Sequence, residues 1–565
     1  MLNGRRFILW GLTRLSVRVA QAMTEGRAQV TVVRLKGEEE ALLPLLGPSV
    51  RILEARTEAP GETLKAAGLG EAGALLALSE SDLSNLHAAV AARDAAPHVP
   101  VVLRAFDPLL ADQLEQGWNV RRAYSVSALA APAFVAAACG DTVLETLRLG
   151  DGEVPICRLT VRQGSPLDGW SAAEVKSRLG CAVLARSTDG EVWEAVAGEA
   201  ARLPLTVGEQ VLIGGPRESV LRTVTRNAGW RKTHRQFWKR APKTAAPKHA
   251  TRLMPTAAAL GVVLLASVFV FRHTLHLSGV DALYFVVTTA TTTGYGDISL
   301  KDTPDWLKLF GCLVMLTGGA LLGILFSYLA ALATAERLDE TMSRRAGRLS
   351  GHVIVAGLGN LGYRVTRHLI ELGLDVAVLD LAPRPRFAET LRERAPVLAG
   401  DASLPDNLER VAISSAVAFI ACTNDDLANI QACLYARRLN PQITTVARVF
   451  DDVLAEQLTK AFAIDRALSA SGAAVSAFVG AATDELALRS LPLGGLTFLV
   501  GRCQTTQTLT AEILEEWRTA GVRQLAFRVK DGPLLAASAL APPHPIGTEL
   551  ILCGPADAVR AIISG

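Results

Sequence analysis

Two stretches of this chain are so apolar and so long that each must either cross a membrane or be buried on all sides. Leu253 to Phe271 reads LMPTAAALGVVLLASVFVF, nineteen residues without a charge. At ~1.5 Å rise per residue this makes about 28 Å of helix, close to the hydrocarbon thickness of a bilayer. A second run, Leu307 to Ala335, carries one charge, Lys308. Two such runs so close together favour a pair of membrane crossings over two core helices. Their flanks set the orientation. Residues 222–252 hold ten Lys/Arg and no Asp or Glu, with Trp230, Phe237 and Trp238 interleaved, and Arg337, Arg344, Arg345 and Arg348 follow the second run. The intervening loop sets Arg272, Lys301 and Lys308 against Asp281, Asp297, Asp302 and Asp305. The positive-inside rule then predicts a multi-pass protein of the cell membrane with both termini cytoplasmic. Because the basic stretch abuts a hydrophobic helix, its expected partner is a bilayer with anionic headgroups rather than nucleic acid. The N-terminal MLNGRRFILWGLTRLSVRV is not expected to act as a signal peptide. Arg14 and Arg18 interrupt its apolar run, and no small-residue cleavage site follows.

Composition excludes several other classes. Half of the 565 residues are hydrophobic and a fifth are charged, too apolar a mixture for a disordered chain. The net charge of +3 is a cancellation, since residues 222–252 carry +10 and the other 534 carry −7. The eight cysteines include no C-x-x-C pair, which argues against a disulfide framework or a zinc cluster.

Between the apolar runs lies SGVDALYFVVTTATTTGYGDISL, residues 278–300. Residues 278–289 predict a short helix that enters the membrane and stops. Thr292-Thr293-Gly294-Tyr295-Gly296 is expected to follow as an extended strand, with the glycines freeing the backbone so that successive carbonyls point one way. Such a column can replace the hydration shell of a monovalent cation. The stretch Thr289 to Asp297 resembles the potassium-channel pore signature, T-x-G-Y-G followed by Asp. By that resemblance, K⁺ is the permeant ion. It would be coordinated by the carbonyls of Thr292, Thr293, Gly294 and Tyr295 and by the Thr292 hydroxyl. Tyr295 would act as an outward spacer, and Asp297 would tie the filter to the pore helix. The proline usual after that Asp is missing. One chain supplies one filter strand, so the resemblance implies a homotetramer. Gly318, Gly319 and Gly323 in the second run suit either a gating hinge or close helix packing.

After the second run, Gly351-His-Val-Ile-Val-Ala-Gly357-Leu-Gly359-Asn360-Leu361-Gly362 predicts a strand, a glycine turn and a helix ending near Gly373. Asp380 stands 23 residues after Gly357 at the end of the next apolar strand. That is a dinucleotide-type fingerprint, with phosphates at the helix N-terminus and ribose hydroxyls on the acid. The region resembles the RCK/KTN (TrkA-type) domains, which regulate K⁺ conductance and uptake. The residues carrying the resemblance are Gly400-Asp401-Ala402-Ser403, Thr423-Asn424-Asp425 and Arg448. It implies Asp401 near an adenine and Thr423 and Arg448 near phosphates, although each could instead cap a turn or face solvent.

The N-terminal region repeats this pattern. Residues 5–16 overlie 351–362 at an offset of 346. LSESDLSNL (78–86) overlies CTNDDLANI (422–430), and LRAFDPLLADQL (103–114) overlies ARVFDDVLAEQL (447–458), both at 344. VGEQVLIGGP (207–216) overlies IGTELILCGP (546–555). In this first copy Thr13 and Ser16 replace two of the glycines and Arg34 stands at the Asp380 position, while Arg104 persists at that of Arg448. The first copy is therefore expected to be mainly structural.

The expected fold is a helical membrane pore (two spans, a pore helix and a filter) with cytoplasmic Rossmann-like α/β RCK domains. Residues 1–143 and 350–482 form the nucleotide-type lobes, 144–221 and 483–565 the small α/β lobes, 222–252 the basic linker and 253–336 the pore. The resemblance implies a non-enzymatic, ligand-gated K⁺ channel. Its gating ligand is left open among NAD(H), an adenine nucleotide, a cyclic dinucleotide and a divalent cation. Two rival readings are a regulatory or anchoring subunit of a K⁺ uptake system and an NAD-dependent oxidoreductase.

Overall fold

The computed structural model describes residues 4–55, 60–106, 114, 120–149, 152–230, 253–450, 452–462, 464–483, 489–493, 496–529, 532, 534–536 and 543–564. Residues 231–252, most of the basic linker, lie outside the described residues. The chain divides into two compact units, Met1–Trp238 with Arg345–Gly565, and Lys239–Arg344.

The first lobe of the larger unit is a six-stranded sheet in the order β3-β2-β1-β4-β5-β6. Its strands are β1 (Arg6–Trp10), β2 (Gln29–Arg34), β3 (Val50–Glu54), β4 (Ala74–Ala77), β5 (Val101–Arg104) and β6 (Val120–Tyr124). Every pairing is parallel. Central strands such as FILW and ALLA are apolar on both faces, as a sheet covered on both sides requires. Strand order reverses between β1 and β4, which opens a crevice at the carboxyl ends of those strands. Helices α1 (Arg14–Glu25), α2 (Asp82–Ala95) and α3 (Val126–Ala138) are the long helices of this stretch.

A small antiparallel lobe follows, built from β7 (Thr142–Leu149), β8 (Gly152–Thr160), β9 (Ala182–Ser187), β10 (Glu194–Ala195) and β11 (Gln210–Gly214), ordered β10-β9-β11-β8-β7.

The second unit holds α4 (Leu253–Thr274), α5 (Gly279–Ala290) and all but the last two residues of α6 (Asp305–Ala346). Ser278 caps α5 by accepting from the Asp281 N–H at 3.2 Å. Phe271 of α4 meets Phe285 of α5 edge-on at 5.0 Å and Phe310 of α6 at 5.4 Å, and with Val286, Leu307 and Val314 these form the local core. Among the described residues, 305–327 is one stretch long and apolar enough to cross a membrane. Helix α6 does not stop with its apolar run at Ala335. It continues to Ala346 through ERLDETMSRRA, a run of helix-forming residues supported by the i,i+4 pair Glu340–Arg344 at 2.5 Å.

The larger unit resumes with β12 (Val353–Ala356), β13 (Val376–Asp380), β14 (Val397–Ala399), β15 (Ala418–Ala421), β16 (Thr444–Arg448) and β17 (Arg466–Leu468), together with α7 (Asn360–Glu371), α8 (Asp426–Leu439) and α9 (Gly472–Thr483). The sheet order β14-β13-β12-β15-β16-β17 repeats that of the first lobe. A second antiparallel lobe, ordered β18-β19-β22-β20-β21, comprises β18 (Arg489–Leu493), β19 (Leu496–Gln504), β20 (Arg523–Arg528), β21 (Leu535–Ala536) and β22 (Glu549–Pro555).

The two copies exchange helices. Helix α3, VSALAAPAFVAAA, is apolar all round, so it must be enclosed. It is enclosed by the other copy, where Ala130, Ala131, Phe134 and Ala138 share a core with Val353, Val355, Val365 and Val378. In return α9 places Ala474, Phe478 and Ala482 on Phe7, Leu9, Leu15 and Leu76 of the first lobe. Two equivalent hydrogen bonds mark the symmetry, Arg18 to the Phe450 carbonyl and Arg364 to the Phe106 carbonyl, both at 2.8 Å. The small lobes also pack sheet on sheet. Val154, Ile156 and Leu184 share a core with Phe498, Val500 and Ile551, and a Cβ at Gly214 would come within 2.9 Å of Leu525.

The chain leaves α3 through Asp141, which is 3% exposed. Burial pushes its carboxyl pKa up to about 7, and Arg162, 3.5 Å away, offsets only part of that cost. The folded protein therefore holds a proton there that the unfolded chain releases near pH 4, so this group's contribution to stability is lost as pH rises through about 7.

Two outcomes are expected. Phe478→Ala should cost about 3–5 kcal/mol. Hydrogen exchange should show the lost protection in β1 and β4 of the first lobe rather than in the lobe whose sequence contains Phe478. Asp141→Asn should raise stability at pH 8 by on the order of 2–4 kcal/mol and flatten the melting profile between pH 4 and 7, as followed by thermal denaturation.

Candidate functional site

In the pore unit, the segment after α5 is wound back on the helix end. The Thr288 carbonyl accepts from both the Thr293 N–H (2.9 Å) and the Gly294 N–H (3.1 Å), so residues 292–296 are not the extended strand expected from sequence. The backbone instead alternates in hand. φ is positive at Thr292 (58°), Gly294 (50°) and Gly296 (80°) and is not positive at Thr293 or Tyr295. Alternation of right- and left-handed residues turns successive N–H groups to one side and successive carbonyls to the other. Gly294 and Gly296 adopt this freely, whereas Thr292 bears a strain of about 1–3 kcal/mol. Tyr284 of α5 stacks on Tyr295 at 6.5 Å, which joins the segment to its helix.

Gly318, Gly319 and Gly323 of α6 play different parts. A Cβ at Gly318 would stand 2.8 Å from that of Ala290, so Gly318 seats α6 against the end of α5. One at Gly319 would reach Thr292 at 3.9 Å, and Gly323 faces open space. The helix runs through all three without interruption.

In the second lobe, Gly357 (φ 92°) follows the end of β12, and α7 begins at Asn360 with Gly359 as its N-cap. A Cβ at Gly362 would lie 1.8 Å from the Gly357 carbonyl, so the turn closes only over glycine. At Gly359 there is nothing within 4 Å, which leaves the α7 N-terminus approachable, and Leu361 is buried beneath it. Asp380 accepts from the Leu358 N–H (2.5 Å) and the Ala382 N–H (2.8 Å). It braces the glycine turn, and an ionised carboxylate has further lone pairs to offer a hydroxyl. Asp401 accepts from Ser403 N–H and Oγ at 2.8 and 2.7 Å, and Ala402 sits half-buried beside it. Arg448 donates to Asn424 Oδ1 at 2.6 Å and to the Thr423 carbonyl at 3.2 Å.

A residue that sequence reading passed over holds this arrangement together. Asn429, fully buried on α8, accepts from the Thr423 N–H (3.0 Å) and hydroxyl (2.7 Å) and donates to the Thr423 (3.1 Å) and Arg448 (2.8 Å) carbonyls. In the first lobe Asn85 likewise accepts from the Ser79 N–H and donates to the Ser79 and Arg104 carbonyls. The signal was present, since Asn is identical in LSESDLSNL and CTNDDLANI.

The first copy has closed its own cleft. Thr13 and Ser16 form a buried reciprocal cap, with Thr13 N–H to Ser16 Oγ at 2.6 Å and Ser16 N–H to Thr13 Oγ1 at 3.2 Å. Glu38 does what Asp380 does in the second copy, accepting from the Leu12 and Leu35 N–H groups at 2.6 and 2.8 Å. Burial raises its pKa. Arg34 turns away to Glu40 and Glu54.

A cavity of about 170 Å³ opens on the second lobe's turn at Gly359 and Asn360 and is bounded by Arg448. Its other wall is the first lobe, including Glu80, Asp82 and Arg104. Burial lowers the pKa of both guanidiniums, so each gains from a nearby anion. Among the described residues there is no cluster of three or more His, Cys, Asp or Glu that could hold a metal ion.

Comparison with known proteins agrees with this architecture. The TrkA-N domain family matches residues 7–125 and 353–470, and the ion channel family matches residues 258–335. Probable potassium channel protein 2 of Methanocaldococcus jannaschii is 30% identical over 182 residues, 30% of this chain and 52% of that protein. A Trk system potassium uptake protein TrkA homolog of Pyrococcus abyssi is 40% identical over 101 residues, 18% of this chain and 44% of that protein. The matches span about half the length of these two curated relatives. Among solved structures, that of the GsuK channel is similar with a TM-score of 0.50 at 15% identity, covering 99% of this chain and 78% of that one, a likeness of fold. Rossmann-like TrkA-N (RCK-type) lobes therefore flank a helical ion-channel domain. One such lobe precedes the region that the ion channel family matches and one follows it.

The glycine turn yields a paired prediction. Gly362→Ala should destabilise the protein by roughly 3 kcal/mol or more, because the Gly357 backbone cannot yield. Gly359→Ala should leave the thermal midpoint within about 2 °C of wild type. Equal melting of the two variants would contradict the described turn.

Proposed function

We propose that this chain is the subunit of a homotetrameric, K⁺-selective channel in the cell membrane, with cytoplasmic TrkA-N lobes that gate it on binding a nucleotide. The observation that carries the reading is the alternating hand of Thr292, Gly294 and Gly296 at the end of α5. Carbonyls of Thr292, Thr293, Gly294 and Tyr295, with the Thr292 hydroxyl, replace the hydration shell of K⁺. Four chains surround the ion, since each contributes one such segment. Helix α4 and the apolar part of α6 span the bilayer, both termini lie in the cytoplasm, and residues 222–252 meet anionic headgroups.

The gating ligand is NAD(H) or an adenine nucleotide held by the second lobe. Its phosphates lie at Gly357, Gly359, Asn360 and Gly362, with Arg448, Thr423 and Asn424 beside them. Its ribose is at Asp380 and its adenine near Asp401 and Ala402. Helix α6 continues to Ala346 and the chain enters β12 at Val353, so the strand that leads into the glycine turn follows closely on the second span. A ligand that changes how the lobes pack thereby changes the tension on α6. Gly318 packs against α5, and Gly323 leaves α6 free to bend.

The test is ion flux through the purified protein in liposomes. K⁺ flux should greatly exceed Na⁺ flux, and Gly294→Ala should abolish it while the oligomer stays intact by size-exclusion chromatography. Equal K⁺ and Na⁺ flux, or undiminished flux in the variant, would remove conduction from this segment.

A further inference from the structure

The first lobe poses a chemical question of its own. Its glycine turn is closed by Thr13 and Ser16 and its crevice is occupied by Glu38, yet it retains an arginine, Arg104, at the position of Arg448. A guanidinium largely withdrawn from water needs an anion. The one ion pair described for it is with Glu80 at 3.7 Å, and the Glu80 side chain is 77% exposed. A long pair with a solvated acid contributes little. The other acid in that wall, Asp82, is engaged with the Phe106 N–H through both oxygens, at 3.3 and 3.1 Å. Arg104 instead borders the cavity whose opposite wall is the second lobe's Gly359, Asn360 and Arg448. The packing that brings the walls together is specific. Arg364 of α7 donates to the Phe106 carbonyl at 2.8 Å and to Ser127 at 3.0 Å, so the first turns of α7 lie against the end of the strand that carries Arg104.

We propose that the first lobe, which has no open cleft of its own, supplies Arg104 as a second phosphate ligand to the cleft of the second lobe. A nucleotide bearing a pyrophosphate is then gripped from both lobes. This rests on the nucleotide-binding reading above and adds to it the ligand class and the second set of contacts. Two arginines on opposite walls, with the α7 N-terminus beside Arg448, match two linked phosphates rather than a nucleoside. The enclosed volume of about 170 Å³ is below the roughly 300–1,000 Å³ typical of sites that surround a drug-sized ligand. The phosphates occupy it, and the nucleoside ends extend along the second lobe towards Asp380. Glu80 is the internal competitor. It pairs with Arg104 in the empty cleft and is displaced when phosphate enters, so occupancy shifts a contact within the first lobe and draws the two lobes together.

The experiment is calorimetric titration of the full-length, detergent-solubilised protein with ADP and with NAD⁺. Arg104→Gln should weaken binding of both by about tenfold or more, a loss typical of one charge-assisted phosphate contact, and Arg448→Gln should do likewise. Arg104→Lys should retain part of the affinity. Glu80→Gln changes an exposed side chain, so it tests the idea even if the arginine variants fold poorly, and it should tighten binding several-fold. If Arg448→Gln loses affinity while Arg104→Gln and Glu80→Gln bind as wild type does, the shared site is wrong and the nucleotide reading stands. If the wild-type protein binds neither ADP nor NAD⁺, both are wrong.

Discussion

The exchange of α3 and α9 between the two copies is the constraint on which the larger unit depends. An alanine-rich helix that is apolar on every side has no stable position on the surface. Each copy leaves one face of its parallel sheet to be covered by the helix of the other. Phe134 and Phe478, both fully buried, are the largest side chains delivered in this way, and burying each stabilises the fold by about 1.5–3 kcal/mol. The Arg18–Phe450 and Arg364–Phe106 hydrogen bonds fix the rotation of one lobe on the other. A copy that had lost its own chemistry would still be needed, because without it the second sheet is uncovered.

That necessity lets the two copies diverge. The skeleton is preserved where it holds strands. Asn85 and Asn429 tie the same pair of strand ends, and Asp82 and Asp426 accept from the backbone of Phe106 and Phe450 respectively. The turn itself has changed character. In the second copy three glycines and an acid leave the helix N-terminus open. In the first, two hydroxyls satisfy the same donors internally and Glu38 reaches in from a loop. Phosphate would meet a carboxylate there rather than free N–H groups.

How much of this could be read from residues alone depended on whether the relevant chemistry is contiguous. The pore segment, the glycine turn and the duplication are written in runs of neighbouring residues, and the sheet orders and helix-turn-strand succession follow them. Backbone hand is not written so plainly. Thr-Thr-Gly-Tyr-Gly has the composition of a strand, but Thr288 at the end of α5 captures two following N–H groups and winds the segment up. The glycines of α6 fit a hinge or a packing seat equally well until Ala290 is seen against Gly318. The exchange was hidden for a related reason, since a uniformly apolar helix has no face that says which sheet it covers. Glu38 is four residues beyond the position at which the second copy places its acid, so the repeat itself pointed to Arg34 instead.

The central claim is that a nucleotide in the second lobe controls K⁺ passage through the pore. The most direct test is to titrate ADP or NAD⁺ onto the protein in K⁺-loaded liposomes and to compare the flux midpoint with the calorimetric binding midpoint. The account predicts that flux changes with nucleotide and that the two midpoints coincide. Flux that stays constant up to concentrations saturating the binding site would contradict it.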